Sequence, residues 1–265
     1  MVVIVLFLYV ALVASIVGCG LTDRLLLWPQ SGAVDTGGAT RLALPMRSGE
    51  LEVWRARRGT PRAYVLRFYG NADRADGWVA SEVSSLPFDV EMWGVNYPGF
   101  GGSEGSASLR GVADSALVAY DAMRAESNGK PIFVFGTSMG TTAALHIAAQ
   151  RDPFGVLLHN PPPLRQLIRG RYGWWNLWLL AAPIAWGVPN DLDSLANAAI
   201  ANAPAIFVLS AEDEIVPPKY ARAVRDAYHG PKQTFELPGA SHNDPIADDM
   251  QRKINDALLK MLGSR

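Results

Sequence analysis

Short apolar runs alternate with longer stretches of helical periodicity along most of this chain. The runs are rich in β-branched and aromatic residues and predict strands over 42–44, 51–57, 63–69, 90–96, 131–135, 154–159, 205–210 and 233–237. The periodicity predicts helices over 75–85, 109–127, 141–150 and 246–262. Strands that alternate with helices form a mostly parallel sheet with helices on both faces. At 265 residues, the chain is long enough for one such α/β domain preceded by an N-terminal addition.

The N-terminal addition is apolar. Residues 1–21 carry no charged side chain, and a run of this length can cross a bilayer as a helix. It ends in Ile16-Val17-Gly18-Cys19, which is similar to a bacterial lipobox, where the cysteine is lipidated and becomes the mature N-terminus. No Lys or Arg precedes the apolar core, although secretory signals normally carry a basic n-region. A lipoprotein signal with Cys19 as the lipidation site predicts the bacterial cell envelope, and an uncleaved membrane anchor is the alternative.

Composition narrows the function classes. The net charge of −1 provides no electrostatic footprint for nucleic acid. The single cysteine excludes a disulfide within the chain, and no His, Cys and Asp cluster has metal-ligand spacing. We therefore expect neither a metal nor an organic cofactor. An early arginine cluster is interpreted as a solvated strand edge and comprises Arg55, Arg57, Arg58, Arg62 and Arg67.

A Gly-Thr-Ser-Met-Gly motif at 136–140 stands between the predicted strand at 131–135 and the predicted helix at 141–150. A G-x-S-x-G sequence between strand and helix is a nucleophile elbow, a turn so sharp that only glycine fits two positions before and after the serine. The turn leaves the hydroxyl at a helix N-terminus, where the helix dipole and free N–H groups favour developing negative charge. Ser138 is therefore the predicted nucleophile.

A serine nucleophile needs a base that accepts its proton and a carboxylate that fixes the tautomer of that base. Asp213 follows the strand predicted at 205–210 and is the predicted acid. Glu212 and Glu214 flank it and stay as alternatives. The carboxyl ends of parallel strands are where ligands bind in such sheets, so this position suits a catalytic acid.

The predicted base is His242, which follows the last predicted strand. His159 ends another predicted strand and is a weaker rival. The order Ser138, Asp213, His242 along the chain is the order expected of an α/β-hydrolase triad.

From about residue 21 to the C-terminus, the chain resembles the α/β-hydrolases, and among them the serine aminopeptidase-like and BEM46-like branch. The resemblance rests on residues 23–29, 68–72, 96–103, 136–140, Asp213 with 216–217, and 239–242. It implies an α/β-hydrolase domain over 22–265, with a mostly parallel central sheet flanked by helices.

The resemblance also implies an oxyanion hole built from the backbone N–H groups of Asn71 and Met139. In the family a histidine commonly precedes the Gly-Asn pair, and Tyr69 stands in that place here. The loop must then be braced differently. Tyr69 is also predicted to border the substrate.

Related hydrolases carry a lid where this chain has an insertion without strand pattern, at about 161–203. Half of the eight tryptophans lie there, at Trp174, Trp175, Trp178 and Trp186. They are interpreted as an apolar acyl pocket or a surface that enters lipid, and the alternative is that the lid helices simply pack on the domain. Trp174, Trp175 and Trp178 are the predicted substrate-binding residues.

Together these features predict a membrane-tethered serine hydrolase that cleaves a carboxylic ester, thioester or amide through an acyl-enzyme. Its expected partners are a small-molecule or acyl substrate and membrane lipid through the N-terminus, with the oligomeric state left open. A serine peptidase of the same fold is one alternative. A catalytically silent binding protein is the other, and the complete predicted triad argues against it.

Overall fold

The computed structural model describes residues 4, 9–11, 13, 20–176 and 179–264 of the chain. The strands are β1 Thr40–Met46, β2 Gly49–Arg58, β3 Ala63–Phe68, β4 Val90–Val95, β5 Ile132–Thr137, β6 Gly155–His159, β7 Ala205–Ser210 and β8 Lys232–Leu237. The α-helices are α1 Leu21–Leu26, α2 Val79–Ser85, α3 Leu109–Glu126, α4 Gly140–Gln150, α5 Leu164–Tyr172, α6 Ala181–Trp186, α7 Ser194–Ile200, α8 Pro218–Ala227 and α9 Asp248–Gly263. Short 3-10 turns cover Ala75–Gly77, Trp174–Asn176 and Asn190–Leu192.

The strands of the described chain form one sheet in the order β1-β2-β4-β3-β5-β6-β7-β8. The pairs β1–β2 and β2–β4 are antiparallel, and every neighbouring pair from β4 to β8 is parallel. The predicted mostly parallel sheet is confirmed. Because the strands from β3 to β8 run in one direction, the loops that follow them meet at one edge of the sheet.

Each face of the sheet has its own hydrophobic core, because side chains alternate between faces along a strand. On β3, Leu66 and Phe68 face a core shared with α3, α4, α7 and α8. Val65 faces a second core shared with α2 and α9. Burial of each such side chain stabilises the fold by roughly 1.5–3 kcal/mol.

Arg67 lies on the second face with Val65, and its guanidinium forms two hydrogen bonds with Glu82 of α2, at 2.9 and 3.1 Å. The interpretation of Arg67 as part of a solvated strand edge is therefore wrong. Its strand has a paired neighbour on each side, so the side chain is enclosed between the sheet and α2.

The insertion between β6 and β7 divides into two parts. Helices α5 and α6 pack against each other, whereas α7 packs against α4 and α8 beside the sheet. The tryptophans predicted to bind substrate belong to the first part, between α5 and α6. Trp178 lies outside the described residues, as do Cys19 and most of the uncharged N-terminal run.

None of the helices among the described residues is both long and apolar enough to cross a membrane.

Candidate active site

The turn from β5 into α4 holds Ser138 in a left-handed backbone conformation, with φ of 50°. Such a conformation costs about 1–3 kcal/mol for a non-glycine residue. The two glycines around it have no room for a side chain. A Cβ at Gly136 would lie 2.6 Å from Gly140 O, and one at Gly140 would lie 2.6 Å from Tyr69 O. These close backbone approaches explain why the elbow needs glycine at both positions.

The turn brings Ser138 to His242, which follows β8, and His242 to Asp213, which follows β7. Ser138 Oγ lies 3.0 Å from His242 Nε2, and His242 Nδ1 lies 2.6 Å from Asp213 Oδ2. The His242 and Asp213 side chains are almost fully buried. An ionised carboxylate only accepts, so Nδ1 carries the proton and Nε2 is left to accept the serine proton. The three predicted residues thus form one hydrogen-bonded chain.

Asp213 is held by its own loop. Its Oδ1 accepts hydrogen bonds from the N–H groups of Ile215 at 2.9 Å and Val216 at 2.7 Å. This leaves Oδ2 aimed at the imidazole. Of the two alternative acids, Glu214 meets His242 at its backbone, whose N–H donates to Glu214 Oε2 at 3.4 Å. The Glu212 side chain is exposed. Neither glutamate reaches the imidazole ring.

His159 lies beside this chain of hydrogen bonds but outside it. Its backbone oxygen accepts from Ser138 N–H at 2.8 Å, and its ring borders a cavity of about 170 Å³ between the sheet, α2 and α9. The buried Nε2 has no hydrogen-bond partner among the described residues. Burial, together with the charges of Arg67 and His242, lowers the pKa of His159 to about 4. The structure therefore places His242, and not His159, between the serine and the carboxylate.

The predicted oxyanion donors border the same serine. A Cβ at Gly70 would lie 3.7 Å from Ser138 Cβ, so the loop with Asn71 passes next to the hydroxyl. The N–H groups of Asn71 and Met139 donate no hydrogen bond to any group in the described part of the chain. By contrast, the N–H groups of Thr141 and Thr142 are bonded within the first turn of α4. The two free donors are therefore left for a ligand.

Two solved structures identify the fold. Est1E from Butyrivibrio proteoclasticus superposes with a TM-score of 0.68 at 13% identity, over 84% of this chain and 98% of that one. An α/β serine hydrolase homologue from Coxiella burnetii superposes with a TM-score of 0.61 at 15% identity, over 83% and 96%. The chain has the α/β-hydrolase fold. The predicted fold class is confirmed, and the particular branch stays a prediction.

The curated relatives match this chain at higher sequence identity but over smaller shares of its length. An uncharacterized protein of Mycobacterium tuberculosis is 29% identical over 170 residues, 63% of this chain and 58% of that protein. An uncharacterized membrane protein of Saccharomyces cerevisiae is 27% identical over 207 residues, 76% and 72% of the two chains. Lysophosphatidylserine lipase ABHD12 of Gallus gallus is 30% identical over 112 residues, 39% and 29%. The chain thus spans little more than half of the first of these relatives. No protein-family model matches the chain.

Tyr69, at the position where the α/β-hydrolases it resembles often have histidine, is buried. Its hydroxyl lies 3.1 Å from Glu82 Oε2, and the Arg67 guanidinium stacks 4.5 Å from its ring centroid. Burial and the Glu82 carboxylate raise the pKa of Tyr69 well above its usual value, so the phenol stays protonated and donates. Tyr97 Oη donates to the Tyr69 backbone oxygen at 3.0 Å. The Tyr69 side chain therefore supports the loop that carries Asn71. It is buried away from any open space, so the prediction that it borders the substrate is wrong.

A second brace comes from the N-terminal segment and was not predicted. The Asn71 side chain bonds to the backbone of Leu26 and Trp28, and Thr22 Oγ1 of α1 donates to Ile184 O of α6 at 3.3 Å. The segment after residue 20 thus contacts both the oxyanion loop and the insertion. Only the match of 23–29 to related hydrolases marked it in the sequence.

The tryptophans of the insertion that the structure describes are exposed. Trp174 and Trp175 lie in the 3-10 turn after α5, and Trp186 ends α6. The alternative in which these indoles pack on the domain is therefore wrong for Trp174, Trp175 and Trp186. Whether Trp174 and Trp175 bind substrate stays a prediction.

No group of three or more His, Cys, Asp or Glu side chains in the described part of the chain could hold a metal ion.

Proposed function

We propose that this protein is a serine hydrolase that cleaves a carboxylic ester, thioester or amide through an acyl-enzyme. The observation that carries the proposal is the hydrogen-bonded chain from Asp213 through His242 to Ser138. The chain ends at the first turn of α4, where positive helix-dipole charge and free N–H groups favour an anion.

The geometry supports a two-step reaction. Ser138 Oγ attacks the carbonyl carbon while His242 Nε2 takes its proton, and the resulting oxyanion accepts hydrogen bonds from the N–H groups of Asn71 and Met139. His242 then returns the proton to the departing alcohol, thiol or amine. Water then attacks the acyl carbon while His242 Nε2 takes its proton. The proton passes to Ser138 Oγ as the ester bond breaks and the carboxylic acid leaves. Asp213 stabilises the imidazolium in both steps.

An acyl ester is the favoured substrate class. The lipase among the relatives acts on a lysophospholipid by its name, and the exposed indoles of the insertion suit an acyl chain. A serine peptidase of the same fold is the second candidate, since the fold does not separate the two chemistries.

The test is labelling with a fluorophosphonate probe, followed by assays on p-nitrophenyl esters of increasing chain length and on peptide amides. We expect labelling and ester turnover by the wild type, and loss of both in Ser138→Ala. Ser81→Ala, on the exposed surface of α2, is the matched control. Labelling of Ser138→Ala would disprove the proposed nucleophile, and faster cleavage of amides than of esters would select the peptidase.

We further propose that residues 1–21 tether the domain to a membrane. The absence of charge in this run supports the tether, as does the membrane protein among the relatives. A lipoprotein loses residues 1–18 and gains acyl groups on Cys19, whereas an anchor keeps Met1. Intact-mass spectrometry of the membrane-extracted protein separates the two, and full-length protein in the soluble fraction would contradict both.

A further inference from the structure

Five large apolar side chains between α5 and the end of α6 form an exposed surface, here called the tryptophan face: Trp174, Trp175, Leu179, Leu180 and Trp186. The indoles are 71%, 60% and 62% exposed, respectively. Exposed large apolar side chains gathered in one short segment are typical of a surface that contacts a partner or a membrane.

The tryptophan face is joined to the N-terminal segment. Thr22 of α1 bonds to Ile184 in α6, next to Trp186, and Leu25 and Trp28 just beyond Thr22 are also exposed. The described end of the uncharged run, at residues 20–21, therefore directly precedes a residue that contacts α6. Among the described aliphatic side chains of this run, Ile4 and Val10 are exposed and Val13 is half-buried.

The segment that carries the tryptophan face is basic in sequence, and one of its arginines, Arg165, is ion-paired with Asp193 at 2.9 Å. Residues 153–190 contain three arginines, Arg165, Arg169 and Arg171, and no aspartate or glutamate. Basic charge beside exposed tryptophan and leucine is the composition that binds the interface of an anionic bilayer. The adjoining uncharged run, which we propose lies in the membrane, favours a bilayer over a protein as the partner of the face.

The face is also anchored to the catalytic loops. Arg171, three residues before Trp174, donates to the backbone oxygens of Glu214 and Ile215, the latter at 3.1 Å. At the other end, α6 contacts α1, whose last residue Leu26 accepts from Asn71. The tryptophan face therefore bridges the loop of the proposed acid and the loop of the proposed oxyanion donor.

We infer that the tryptophan face docks on the headgroup and upper acyl region of an anionic lipid bilayer. Docking holds the active site at the membrane–water interface, where it meets amphiphilic esters presented by the bilayer. The inference rests on the proposed membrane tether and is independent of the acyl-enzyme chemistry.

The experiment uses tryptophan fluorescence of the full chain, reconstituted into phosphatidylcholine–phosphatidylglycerol vesicles with brominated acyl chains. The first 20 residues contain no tryptophan, so quenching by bromine reports on the domain and not on the tether. Trp174→Phe/Trp175→Phe/Trp186→Phe keeps the face apolar but removes its indoles. We expect this variant to lose about half or more of the quenched intensity, because indoles at the interface lie closest to the acyl chains.

Trp54→Phe, which removes a half-buried indole from β2, is the matched control and should leave the quenched intensity unchanged. Equal quenching of the triple variant and the wild type would overturn the inference. Dimers that cross-link through the face and show no quenching would also overturn it, because they would assign the face to a second copy. The inference would likewise fail if residues 1–20 covered the face and kept its indoles from the bromine. Quenching is read in Ser138→Ala as well, so failure of the proposed catalysis does not affect the result.

A second pair of assays measures how docking affects hydrolysis of esters in a bilayer and of soluble esters. Leu179→Glu/Leu180→Glu, at two exposed positions of the face that are not among the predicted substrate-binding residues, should lower hydrolysis of a long-chain ester in anionic vesicles about tenfold or more, since a carboxylate opposes both insertion and anionic lipid. Its turnover of soluble p-nitrophenyl butyrate should change less than about twofold, because the triad is untouched. Equal losses on both substrates would show a structural defect and not lost docking.

Discussion

Asn71 Nδ2 donates a 2.6 Å hydrogen bond to the backbone oxygen of Leu26. The other side of the same amide, Oδ1, accepts from Trp28 N–H at 2.9 Å and from Ala72 N–H at 3.1 Å. Asn71 thus offers its backbone N–H to the proposed oxyanion while its side chain ties the loop to the N-terminal segment. The segment that follows the proposed tether is part of the scaffold of the site.

We expect Asn71→Ala to lower kcat about 10- to 100-fold with a small change in KM, because a misplaced oxyanion donor weakens binding of the transition state more than of the substrate. Steady-state kinetics on a soluble ester measures the effect. Trp28→Ala keeps the backbone N–H and should stay within about twofold of the wild type. Wild-type kcat in Asn71→Ala would show that the side chain does not position the loop.

Asp213→Asn should lower kcat by about 10³- to 10⁴-fold, because the amide cannot stabilise the imidazolium or enforce the right tautomer. Glu214→Gln should change kcat only a few-fold, since its carboxylate meets the backbone and not the ring of His242. Turnover of a p-nitrophenyl ester measures both. The opposite pattern would move the catalytic acid to Glu214.

His159→Gln should retain ester turnover within a few-fold, while His242→Gln should lose about 10³-fold or more. The hydrogen bond between the two residues runs from Ser138 N–H to the backbone oxygen of His159, and that oxygen survives the substitution. If His159→Gln abolished turnover with the fold intact by circular dichroism, His159 would have a part in proton transfer.

His159 should also make the protein less stable in mild acid. Its pKa is about 4 in the folded protein, chiefly because burial opposes the charge, and about 6.5 in an unfolded chain. Between pH 6.5 and 4 the unfolded chain binds the extra proton, so the free energy of unfolding falls as the pH falls. Urea denaturation at pH 7 and pH 5 should show a smaller pH effect in His159→Gln, and an equal effect would contradict the assignment.

Gly140→Ala should destabilise the fold by about 3 kcal/mol, at the upper end of what overpacking costs, because the added Cβ meets the backbone of Phe68 and Tyr69. Gly263→Ala is the matched control, because a Cβ there meets nothing within 4 Å. The urea midpoint measures both. A Gly140→Ala protein as stable as the control would show that the elbow tolerates a side chain.

Local pattern was sufficient for the strands, the α/β class and the proposed triad. The strand at 205–210 could be predicted to the residue, because buried parallel strands are continuous apolar runs with sharp ends. The elbow glycines could be predicted because the turn itself excludes a Cβ. Asp213 and His242 could be placed because the carboxyl ends of parallel strands meet at one edge.

Packing between distant segments decided the rest. Sequence could not place β4 between β2 and β3, enclose Arg67 with Glu82, or join Asn71 to Leu26, because each depends on residues that are adjacent only after the sheet has formed. The count of tryptophans in the insertion was visible in the sequence, but their exposure was not, since an indole serves equally well in a core and at an interface. The apolar pattern of a sequence shows which side chains avoid water. Only the folded structure shows whether such a side chain packs in the protein core or stays exposed on the surface.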